Sequence, residues 1–137
     1  MSKSNTGETD ILKYVLQGVA PSWAGLGTLY VSLHTADPGE AGTQATNEAT
    51  YTGYARVAVS RATGGWNVTA NIGNNVAAVL FPANSGVSAQ TVTHLGLGTA
   101  ASGATTLLYS GTLTANLAVV ALVEPNFAAG ALSITEE

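Results

Sequence analysis

LYVSLHTADPGEAGTQATNEATYTGYARVAV, residues 29–59, starts and finishes like β-strand around a long polar middle. Leu29, Val31 and Leu33 alternate with Tyr30, Ser32 and His34, and Ala55, Val57 and Val59 alternate with Tyr54, Arg56 and Ala58. Period-two alternation is the pattern of a strand with one face in a core. Between the two runs lie nineteen residues, Thr35 to Gly53, built mostly from Thr, Ala, Gly, Glu and Asn. Compact domains rarely carry so long a connection without secondary structure unless it has a purpose. The strands point to the fold class, and the loop raises the first functional question.

Working outward, the same short apolar windows rich in Val, Leu, Thr and Tyr recur at 28–34, 54–61, 65–70, 75–81, 91–98, 105–113, 117–123 and 131–135. Turn residues such as Gly64-Gly65, Asn74-Asn75, Ser102-Gly103 and Gly130 separate most of them. The count and spacing predict an all-β, jelly-roll-like β-sandwich of about eight strands, in one domain spanning 1–137. Residues 1–27 read differently, as a helical N-terminal segment. Ile11, Leu12, Val15, Leu16 and Val19 form one helical stripe, Thr6 or Thr9 offers a cap, and Gly18 and Pro21 mark the end. The stripe is expected to cover an open edge of the sheet, with docking on a partner as the alternative.

Charge is scarce. Only 9% of the chain is Asp, Glu, Lys or Arg, against roughly 25% in an ordinary soluble domain. A surface filled by Thr, Ser, Asn, Gly and Ala fits a subunit packed in a permanent assembly; the plainer reading is a neutral, Thr/Ser-rich β-protein. The cations are Lys3, Lys13, Arg56 and Arg61, and net charge is −4. So few cations exclude phosphate neutralisation on the scale nucleic-acid binding needs. No apolar run is long enough to span a membrane, and the polar start MSKSNTGETD has no signal-peptide pattern.

Chemistry finds little purchase. There is no cysteine, the only histidines are His34 and His94, and no G-x-S-x-G stands between a strand and a helix. His34 precedes Asp37 at a strand end, where a polar end group is the ordinary reading. Asp37, Glu40 and Glu48 lack the dense spacing of a calcium loop. No catalytic residue, metal ligand or cofactor is assigned. The residues that remain are of the kinds that dominate interfaces. Tyr51, Tyr54, Arg56 and Trp66 are candidate contacts, together with Asp37, Pro38, Gly39 and Glu40 at the root of the loop. Tyr54 and Arg56 share a strand face opposite the valines, so Arg56 is expected to point outward or into a subunit contact.

Leu29-Tyr30, Leu33-His34-Thr35, Asp37-Pro38-Gly39, Gly53-Tyr54-Ala55-Arg56, Phe81-Pro82 and Thr93-His94-Leu95-Gly96-Leu97 occur in that order along nearly the whole chain. In this order and spacing the chain resembles a family of small virion proteins of tailed bacteriophages, labelled tail-fibre or decoration proteins. The resemblance implies a structural, non-enzymatic role in a virion. It also brings in the jelly-roll cement proteins that bridge capsid subunits. The expectation is therefore a capsid decoration subunit that binds the major capsid protein and itself, as a homodimer or homotrimer. A tail or fibre component touching a host receptor is the alternative. In the first reading, loop 35–53 is an extended arm, able to span on the order of 60 Å, that orders on a neighbour.

Overall fold

The computed structural model describes residues 1–136. Strand β1 (Ser2–Lys3) is followed by helix α1 (Asn5–Gln17) and strands β2 (Thr28–His34), β3 (Val57–Ser60), β4 (Trp66–Thr69) and β5 (Ile72–Asn75). Then come β6 (Val79–Leu80), β7 (Gln90–Gly98), β8 (Leu107–Val119), β9 (Asn126–Phe127) and β10 (Ser133–Thr135). They assemble as a five-stranded sheet in the order β1-β8-β7-β2-β3, a three-stranded sheet β10-β5-β4 and a two-stranded ribbon β6-β9, every pairing antiparallel. The expected all-β sandwich with one short helix is the architecture observed.

One layer of the core comes from the large sheet, through Leu29, Val31, Leu33, Val92, Leu95 and Leu97. The other comes from Val79, Phe81, Leu132 and Ile134, with Tyr51 beside them. The alternation in the opening stretch is real in β2, which pairs Val31 with Leu97 and Leu33 with Leu95. It is not continuous in the second run. β3 begins only at Val57, opposite Val31, and residues 54–56 precede the ladder. Tyr54 and Arg56 consequently turn inward while Ala55 is exposed, the reverse of the expected orientation. Windows 105–113 and 117–123 fuse into one strand. The short gap between them is a bulge, since Val92 faces Leu117 while His94 faces Thr112.

Helix α1 is capped by Ser4, whose hydroxyl oxygen accepts the Gly7 N–H at 3.1 Å, and not by Thr6 or Thr9. The capping role falls to Ser4 because its own N–H is already held by the Leu108 carbonyl at the end of the β1–β8 pairing. A Cβ on Gly7 would lie 3.1 Å from the Leu108 carbonyl oxygen, so glycine lets the first turn sit against β8. Gly18, at φ 68°, ends the helix in the left-handed conformation. Trp23 donates to Asp10 at 2.7 Å and lies under the Arg61 guanidinium, which pins the return segment. Only the first half of the helix is packed. Leu12, Val15, Leu16 and Val19 are exposed, so the stripe does not cover the sheet as expected.

Candidate functional site

Loop 35–53 is not an outward arm. It folds back along the large sheet and gives β2 a second buried face, so that Ser32 and His34 are as inaccessible as Val31 and Leu33. The return leg continues the edge of β2 beyond β3: Thr35 N–H donates to the Asn47 carbonyl, and Ala49 N–H to that of Leu33, each at 2.8 Å. Polar anchors hold the loop where apolar ones are missing. Gln44 is fully buried; its amide donates to the Tyr30 carbonyl and accepts from Ala100 N–H and the Thr105 hydroxyl. His34 donates through Nδ1 to the Thr46 carbonyl at 2.8 Å, and its Nε2 accepts from the Ser32 hydroxyl at 2.8 Å. Two glycines on β7 make the room. A Cβ at position 96 would meet His34 Nε2 at 2.5 Å, and one at 98 would meet Gln44 Cδ at 2.1 Å.

Arg56 and Glu48 close this layer. Arg56 donates to Glu48 through Nε (2.6 Å) and Nη2 (2.8 Å), then to the carbonyls of Ala100 and Gly103 and to the Thr105 hydroxyl. One guanidinium thereby ties loop 35–53 to the β7–β8 loop. Tyr54 donates to the same Glu48 carboxylate at 2.9 Å, while its oxygen accepts the Leu33 N–H. Its ring stacks on Phe81, 6.2 Å between centroids. Burial, followed by the neighbouring carboxylate, drives the Tyr54 phenol pKa far above its ordinary value. Burial alone raises that of Tyr51 to about 12. These groups hold the loop. They do not form a reaction centre, and among the described residues no group of three His, Asp or Glu side chains could hold a metal ion.

Three apolar features stand out on the surface of the described residues. The first is the outer half of α1, with Leu12, Val15 and Leu16, followed by Val19 just past its Gly18 cap. The second is an open groove of about 500 Å³ between the large sheet and the β4–β5 hairpin, lined by Leu29, Trp66, Val68, Leu97 and Ile134, with Glu136 among its lining residues. Trp66 Nε1 is buried beside it and has no acceptor among the described residues. The third is a tip where Val87 and Leu122 are 95% and 84% exposed. Asn84 braces this tip from inside. Its side chain donates to the carbonyls of Ser88 and Val119 and accepts from Gly86 N–H, and its backbone pairs with Leu122 and Val123.

The residues singled out in the sequence thus scatter. Asp37 accepts the Gly39 N–H at 2.8 Å and makes the turn, Pro38 is buried, and Glu40 offers its carbonyl to Asn5 N–H. Tyr51, Tyr54 and Arg56 belong to the interior, and Trp66 alone stands at an open surface feature. Gln44 and Asn84 were missed because polar residues in loops read as solvated. Only the glycine pair at 96 and 98 hints at a side chain crossing the sheet.

A family model described as podophage GP4 fiber I protein gp80 matches residues 2–135. No curated protein matches the chain.

Proposed function

The chain belongs to the podophage fiber I protein family, a family of phage virion structural proteins, and on that premise we propose that it is a self-associating subunit of a tail fibre. The match over residues 2–135 carries this reading. Three physical features support it. Charge is too sparse for a surface wholly presented to water. Polar loops are tied down by buried hydrogen bonds, which gives a rigid unit suited to a mechanical role. Apolar side chains stand exposed on a helix, a groove and a tip, where a lone monomer would place polar ones.

The role is structural and non-enzymatic, and the partners are further copies of the chain and the virion component to which the fibre attaches. The head-decoration role, with the major capsid protein as partner, was the first expectation. The family description favours the fibre over it. Loop 35–53 serves as a cover that stiffens the sheet. Imaging virions labelled with an antibody to this chain tests the reading: label at the tail is expected, and label spread over the head lattice overturns it in favour of decoration.

A further inference from the structure

We infer that two copies of this chain pair through the outer face of the smaller layer, made by β4, β5, β6, β9 and β10, across a two-fold axis at Val76. The inference rests on the self-associating role proposed above and names the surface that carries it.

Charge is divided unevenly between the layers. No Asp, Glu, Lys or Arg stands between Arg61 and Glu124, and none between Glu124 and Glu136. Every residue of β4, β5, β6, β9 and β10 is therefore uncharged. Apart from the acids at 124, 136 and 137, the charged residues lie on β1 and α1, in loop 35–53 and at both ends of β3. A sheet face kept in water ordinarily carries charge, for solubility and against pairing with other chains.

The ladder register shows what this face presents. Ile134 and Val79 are buried, so the residues next to them along each strand point outward. Thr69, Ile72 and Thr135 form one outward row, and Leu80 and Asn126 another. Val76 follows the buried Asn75 and is exposed at the bend that joins β5 to β6. Ile72, Val76 and Leu80, at 41%, 44% and 47% exposure, make an apolar spine with Thr and Asn beside it. An apolar centre with a polar rim is the anatomy of an interface.

Two-fold symmetry selects such a face. Residues near the axis meet themselves, so a charge there would face a like charge at short range. A neutral face meets its own copy without that cost. Glu124 fixes the direction of the axis, because it lies past the Leu80–Asn126 pair at one end of the spine. An axis along the strands would bring the two copies of Glu124 together. An axis across them at Val76 sets each against the uncharged β4–β5 turn of the other copy. From Ile72 to Leu80 the path covers about 25 Å, and β4 to β10 spans about 10 Å between strand axes. That is smaller than the roughly 800 Å² a standard interface takes from each partner, so the isolated pair dissociates on dilution and repetition holds it in an assembly.

Sedimentation of the full chain over a concentration series tests this, and a reversible monomer–dimer equilibrium is expected. Ile72→Lys combined with Leu80→Lys should leave only monomer, with circular dichroism and melting temperature kept because both side chains are exposed. Leu16→Lys, on the exposed half of α1, should leave the equilibrium unchanged. The chain has no cysteine, so Val76→Cys oxidised by itself should give a disulfide-linked dimer, and Val87→Cys at the tip should not. A wild-type chain that stays monomeric up to its solubility limit would overturn the inference. So would a dimer that survives the two lysines, one that Leu16→Lys dissociates, or an oligomer in which Val76→Cys links no better than Val87→Cys. Association is read on the isolated protein, so head label with the dimer intact would sink the fibre reading alone, and tail label with a monomer would sink this face alone.

Discussion

The Arg56 guanidinium and the Glu48 carboxylate meet in a two-point ion pair beneath the surface, at 2.6 and 2.8 Å, with the Arg56 side chain 1% exposed and that of Glu48 17%. Removing one partner of a buried pair leaves the other uncompensated, at about 3–5 kcal/mol. Arg56→Ala also frees the carbonyls of Ala100 and Gly103, so the loss should fall at the upper end. Equilibrium denaturation of Arg56→Ala and Glu48→Gln measures it. A loss below about 1 kcal/mol for Arg56→Ala would show that the pair does not hold the loops together.

Gly98 should be intolerant of a single methyl group. A Cβ there would sit 2.1 Å from Gln44 Cδ, so the loop must lift or the sheet must shift. Overpacking of this kind costs about 1–3 kcal/mol. Gly98→Ala is expected to speed hydrogen exchange across residues 42–48 while β2 and β7 stay protected. Adding Gln44→Ala should recover part of the loss by removing the clash, measured as a double-mutant cycle. Gly64→Ala, where nothing lies within 4 Å, is the control.

Much of the fold was legible in the sequence, for reasons that identify what was not. β2 shows its alternation because one of its faces meets apolar side chains, and the helix shows its stripe because 3.6-residue periodicity is local. The loop was misread because Gln44 is a polar residue whose burial depends on the room left by Gly98 on a distant strand, and because Glu48 is drawn inward by its ion pair with Arg56. Tyr54 and Arg56 were read as outward-facing because the alternation was extended three residues past the point where β3 leaves its partner. Deleting residues 40–50 would remove Gln44 and Glu48, so it should destabilise the sheet, where an outward arm could be removed with the β-core intact.

His34 makes stability depend on pH. Burial lowers its pKa from 6.5, outweighing the Thr46 carbonyl that raises it. The unfolded chain then binds the proton more readily than the folded one, so this contribution is complete above pH 6.5 and is lost as pH falls toward the folded value. The melting temperature should drop between pH 7 and 5, and His34→Asn, which keeps a donor for the Thr46 carbonyl, should flatten that slope. Glu136 titrates in a lower window. Burial pulls its carboxyl upward, but donation from Lys3 and Tyr109 outweighs that and holds it below 4.5, so its contribution is lost only as pH falls further. An unchanged slope in His34→Asn between pH 7 and 5 would assign the effect elsewhere.

At the Val87–Leu122 tip, Asn84 and Leu122 should respond to substitution with opposite signs. Asn84→Asp keeps the shape but replaces two N–H donors, at 2.9 and 3.0 Å from the carbonyls of Ser88 and Val119, with an acceptor facing acceptors. Leaving such buried groups unpaired costs about 1–3 kcal/mol, and a charge there adds to it. Leu122 has φ 66° and an 84% exposed side chain, so it bears left-handed strain of roughly 1 kcal/mol with little packing in return. Leu122→Gly relieves that strain but makes the unfolded chain more flexible, leaving a net gain of about 0.5 kcal/mol. Thermal denaturation of both variants decides it. Loss in Asn84→Asp with gain in Leu122→Gly is the expected pair, and a loss in Leu122→Gly would mean that this exposed side chain packs against something the isolated chain retains.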